Sequence, residues 1–74
     1  MTDYHNIIRI NTDKRFGKPC IRDTRISVHD VLIWLAFGMS HYEITTDFPE
    51  ITGEDISASL SYAAARERKI RVKS

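Results

Sequence analysis

Apolar and polar positions alternate with two different periods along these 74 residues, and the change of period falls near Ser27. Before it, Ile7, Ile8 and Ile10 form a β-branched run interrupted only by Arg9, which predicts a short strand over 7–10. The turn-rich NTDKRFGKP follows at 11–19, with Gly17 free to take positive φ and Pro19 fixing its own. CIRDTRIS then sets Ile21, Asp23 and Arg25 against Arg22, Thr24 and Ile26. This alternation predicts a second extended segment and a loose hairpin.

After Ser27 the period becomes helical. Val28, Val31, Leu32, Leu35 and Met39 recur at i, i+3, i+4, i+7 and i+11, one stripe on a helix over 28–37. Ile33, Trp34 and Phe37 lie off that stripe. A helix apolar nearly all round needs cover on more than one side, either the N-terminal hairpin or a second subunit. Further helices are predicted over 41–47 and 53–68, the last turning Ile56, Leu60, Ala63 and Ala64 inward. Each helix has its start signal, a hydroxyl three residues ahead of an acid: Ser27 with Asp30, Ser40 with Glu43, and Thr52 with Asp55. Such pairs satisfy orphan N–H groups and set a negative charge at the positive end of the helix dipole. Gly38 and Phe48-Pro49 are the stop signals for the first two helices. The tail KIRVK alternates Ile70 and Val72 with cations, as a third short strand would.

The fold class is therefore mainly α: three helices behind a β-strand or hairpin arm. One domain over 1–74 divides into an arm (1–26), a helical core (27–68) and a basic tail (69–74). A short helix, a tight break at FPEI and a longer helix is also the helix-turn-helix arrangement, although three-helix cores are common without nucleic acid.

Size changes the expectation. A chain this short buries only about 60% of the surface that its unfolded form exposes, so a homodimer or a partner protein is expected. Its hydrophobic fraction of 42% and charged fraction of 28% suit a soluble globular domain. No stretch reads as a signal peptide or membrane span, and one cysteine makes no internal disulfide, which points to the cytoplasm.

The net charge of +1 hides a segregated pattern. Residues 1–25 hold six Lys/Arg against three Asp, and residues 66–74 hold five against Glu67 alone. Between them, residues 26–65 hold six acids and no Lys or Arg. If DNA is bound, its phosphates must therefore meet the arm or the tail, where Arg66, Arg68, Lys69, Arg71 and Lys73 stand. Glu54 and Asp55 open the third helix and would face those phosphates.

Catalysis finds little support. Cys20 sits between Lys18 and Arg22, a field that favours thiolate, but His5, His29 and His41 show no spacing to it that suits a base. The same four residues have no zinc spacing, and Gly17 alone is no phosphate loop. The expectation is a non-enzyme without cofactor, metal or small-molecule substrate.

GKPCIRDTRISVHDVLIWLAFGMS, continuing into YEITTDFPEITGEDISASLSYAA, closely resembles a bacterial and archaeal family catalogued as domain of unknown function number 433, which includes VapB-type antitoxins. The resemblance spans roughly residues 7–66 and rests on GKP-I-TRI followed by a helix and DFP-IT-ED. Family members often carry Gly where this chain has Phe16 and Asp23; Asp tolerates left-handed backbone, so the turn is expected there. The resemblance implies a homeodomain-like helix-turn-helix core, commonly a dimer, acting as antitoxin to a PIN-like ribonuclease toxin and binding its own promoter. Such nucleases hold metals with carboxylates, which an inserted arginine would pair. Lys18, Arg22 and Arg25 are thus the candidate toxin-docking residues, and Ile33, Trp34 and Phe37 the candidate dimer interface. Arg22 and Arg25 could equally pair with acids of the middle segment. Two other functions fit the same residues: a stand-alone DNA-binding regulator, or a structural or adaptor dimer with no nucleic-acid role.

Overall fold

The computed structural model describes residues 4–10 and 17–70, with the side chains of 68–70 excepted. Five elements follow in order: β1 (Ile8–Ile10), β2 (Pro19–Ile21), α1 (Val28–Ala36), α2 (His41–Asp47) and α3 (Gly53–Ile70). The fold is mainly helical, with the two strands paired antiparallel at its N-terminal side, Ile8 opposite Ile21 and Ile10 opposite Pro19.

Every helix start follows its local chemistry. Ser27 and Asp30 exchange both capping bonds, as do Ser40 and Glu43. Thr52 and Asp55 do the same at 2.9 and 3.2 Å, so an Asp in place of the usual Glu serves the box equally well. At the far end of α1, Gly38 has φ 93°. Its N–H reaches the Leu35 carbonyl while Met39 N–H reaches that of Trp34, the double bond of a Schellman stop.

The predicted second extended segment is shorter than expected. Only Pro19–Ile21 is strand. The chain then reverses within Arg22–Arg25, so that Ile21 N–H bonds the Ile26 carbonyl and Cys20 bridges Ser27. The left-handed residue is Arg22, φ 40°, and not Asp23. Thr24 holds the reversal by donating its hydroxyl to the Ile21 carbonyl at 2.7 Å and accepting from Ile26 N–H. Ile70 is helical rather than extended, so α3 runs two residues beyond its predicted end; Val72 lies outside the described residues.

Ile21, Val31, Ile44, Ile51 and Ile56 form the centre of the core, all at 2% exposure or less. Packing of α1 against α3 and β2, and of α2 against α3, closes it. The predicted stripe of α1 faces this centre: Val28 and Val31 are buried, and Leu32, Leu35 and Met39 pack on it half-buried. For α3 the expected inward face needs correction. Ile56 is buried, but Leu60 and Ala64 are exposed and Ala63 is half-buried. The buried side of α3 carries Asp55, Ile56, Ala58, Ser59 and Ser61 instead. Three of those five are polar, so an apolar pattern could not find them. No helix of the described residues is long and apolar enough to cross a membrane.

Candidate functional site

Two clusters stand out, both built where the arm meets α3. The first joins Arg22 of the reversal to Asp55 in the first turn of α3. Arg22 Nη1 donates to Asp55 Oδ1 at 2.5 Å and Nη2 to Oδ2 at 2.7 Å, a two-point ion pair. Nη2 also points at the Glu50 carbonyl, 3.5 Å away. Asp55 is fully buried, whereas the Arg22 side chain is 39% exposed. Asp55 Oδ2 accepts the Thr52 N–H as well, and Ser59 Oγ donates to the Asp55 backbone carbonyl. One carboxylate therefore starts the helix and clasps the arm. The Arg22 guanidinium is held above its ordinary range chiefly by the hydrogen bonds to Asp55. Partial desolvation opposes this, and the charges of Asp55, Glu54 and Asp23 reinforce it.

The second cluster is open. A groove of about 580 Å³ lies between β2, the start of α1 and the C-terminal half of α3. Pro19, Val28, Leu32, Tyr62 and Ala63 supply its apolar lining. Lys18, His29, Arg66 and Glu67 are the exposed residues at its edges. The Arg66 guanidinium lies 5.8 Å from the Tyr62 ring centre, and Tyr4 packs edge-on against Tyr62 at 5.3 Å. Lys18 and Arg66 are 48 positions apart in sequence, one from the arm and one from the basic end. The fold brings them to one groove.

The predicted site residues thus separate. Lys18 and Arg66 border the groove; Arg22 is committed to Asp55; Arg25 is exposed in the reversal. Arg68 and Lys69 fall in the last turn of α3 with undescribed side chains, and Arg71 and Lys73 lie outside the described residues. Of the candidate interface, Phe37 is 83% exposed and Ile33 38%, one helical turn apart. Trp34 turns the other way, half-buried and stacked on Phe48 with ring centres 4.1 Å apart.

Asp55, expected to face phosphates beside Glu54 if DNA is bound, is instead buried against Arg22, which pairs with an acid of the middle segment as the alternative reading had it. Only Glu54 of that pair is exposed. Cys20 is buried in β2, its thiol 3.4 Å from the Lys18 carbonyl. Among the described residues, no three His, Cys, Asp or Glu side chains gather as a metal site would need.

Comparison with known proteins adds the following. A family model described as "Protein of unknown function (DUF433)" matches residues 8–63. A crystal structure of a DUF433 member protein from Anabaena variabilis is 30% identical, with a TM-score of 0.80 over 89% of this chain. The chain spans 65% of the length of that structure. No curated protein matches.

Proposed function

The chain belongs to the DUF433 family, and from that premise we propose that it is the antitoxin of a type II toxin–antitoxin pair. It neutralises a PIN-like ribonuclease by direct contact and is not itself an enzyme. The observation that carries this reading is the apolar surface left open on so small a chain. Phe37 is 83% exposed, and Ile33, 38% exposed one helical turn earlier, shares its face. Large apolar side chains exposed together form a surface that a protein partner can cover. Ile33 and Phe37 are the proposed contacts of a homodimer, with Trp34 stiffening that helix through its stack on Phe48.

The test is reconstitution. Co-expressed with a PIN-like nuclease from its own genome, the protein is expected to co-elute on size exclusion and to abolish cleavage of a labelled RNA. Undiminished cleavage at molar excess would refute the reading. Sedimentation equilibrium at micromolar concentration is expected to show a dimer; a lone 8.6 kDa species counts against it.

Operator binding through α2 and α3, in a homeodomain-like helix-turn-helix, is the second part of the proposal. One observation favours it. Arg22 neutralises Asp55, so the front of α3 opposes phosphates with Glu54 alone. Glu54→Gln is then the informative variant, expected to strengthen non-specific DNA binding across a salt series. Unchanged affinity removes α3 from the DNA surface. Asp55→Asn would report on folding instead.

A further inference from the structure

We propose that the groove between β2, α1 and α3 seats an amphipathic, acid-bearing helix of the partner nuclease. Its apolar face would lie on Val28, Leu32, Tyr62 and Ala63, and its carboxylates on Lys18 and Arg66. This rests on the reading of the chain as an antitoxin and names the element that docks.

Three observations lead there. The lining is apolar and open along one side, a shape that accepts a side-chain ridge rather than enclosing a small molecule. The lining also has little left to offer a polar backbone. Past its first turn α1 uses its own amides internally, as does the C-terminal half of α3; Ser27 has exchanged both bonds with Asp30, and Pro19 has no N–H. An extended peptide laid here would leave most of its own N–H and C=O groups unmatched, whereas a helix satisfies them by itself. Charge then sets the sign of the occupant. Lys18 and Arg66 border the groove with Glu67 as the sole acid among its lining residues, and α3 continues into Arg68 and Lys69. Arg66 is held over Tyr62, so part of its side-chain freedom is already lost before a carboxylate arrives.

Two variants test the proposal in the reconstituted complex. Ala63→Trp fills the groove, and Lys18→Glu with Arg66→Glu reverses its border. Thermal melts first confirm that each folds. Calorimetry is expected to show affinity for the nuclease falling about 100-fold for the first and about tenfold for the second. A Glu→Lys change on the docked nuclease helix should recover the second loss. A complex that forms with unchanged affinity in both variants overturns the groove while leaving the antitoxin reading intact. If no complex forms, that reading fails and a synthetic probe decides the groove alone. The probe is a 16-residue helix with leucines at i, i+3, i+4 and i+7 and glutamates elsewhere, titrated into ¹⁵N-labelled protein. Shifts confined to Val28, Leu32 and Ala63, absent with a lysine counterpart, uphold it. No shift, or a shift with dodecyl sulfate alone, overturns it in favour of a closed surface or a small-amphiphile site.

Discussion

The two ends of α3 use the same kind of residue in opposite ways. At its start, Asp55 is buried and each of its oxygens has a partner, because Arg22 arrives from the arm with a fork that fits it. Toward its other end, Arg66 lies against an aromatic ring beside an open apolar groove. Both arginines look alike in sequence, each set in a basic segment. What separates them is whether the opposing surface is already filled. A buried carboxylate paired in this way is chiefly structural, since losing Arg22 would strand it. An exposed cation at the edge of a groove costs the fold little and stays available to a ligand.

The comparison breaks most decisively at Asp55. Asp55→Ala removes a cap and a buried partner together, with an expected loss of about 3–5 kcal/mol in urea unfolding. Arg22→Ala leaves the carboxylate stranded and should approach the lower end of that range, about 3 kcal/mol. If both fall below about 1 kcal/mol, the clasp is no stronger than a surface pair and the two ends of α3 do not differ. A smaller effect sharpens the point: Arg22→Lys keeps the charge but loses the two-point fit, for about 1–2 kcal/mol. Smaller still, Lys18→Gln and Arg66→Gln are expected to move stability by about 0.5 kcal/mol or less. A larger shift would make these residues part of the scaffold.

The last expectation is a null effect with a definite sign. Arg22 has a raised folded-state pKa, so the stability it contributes is complete below its unfolded value and is lost only as pH rises through the folded one. The unfolded value already lies far above the physiological range. The stability gap between wild type and Arg22→Ala should therefore stay flat from about pH 7 to pH 10, measured by urea unfolding. A gap that closes within that interval would mean that another group controls the clasp.

The helices were legible because their signals are local. Each hydroxyl–acid pair spans three residues, and all three form reciprocal boxes. The α1 stripe and the Gly38 stop are legible for the same reason. The arm was only half legible. Alternation over 20–27 suits a strand, but Thr24 and a left-handed Arg22 turn the chain back, and arginine carries no turn signal as Gly or Asn would. The inward face of α3 was misjudged because burying Asp55 depends on an arginine 33 residues earlier. The groove was invisible in the same way: Lys18 and Arg66 meet only through the packing of β2, α1 and α3.

That separation of 33 residues also has a kinetic meaning. The capping boxes and the Gly38 stop close over three to five residues and can form while the rest of the chain is still searching. The clasp between Arg22 and Asp55 must wait until α3 exists and the arm has reversed onto it, so the cost of closing that long loop comes late. Weakening the clasp should therefore speed unfolding far more than it slows folding. In native-state hydrogen exchange the arm should open before the three helices do, leaving a helical core that briefly lacks its N-terminal strands.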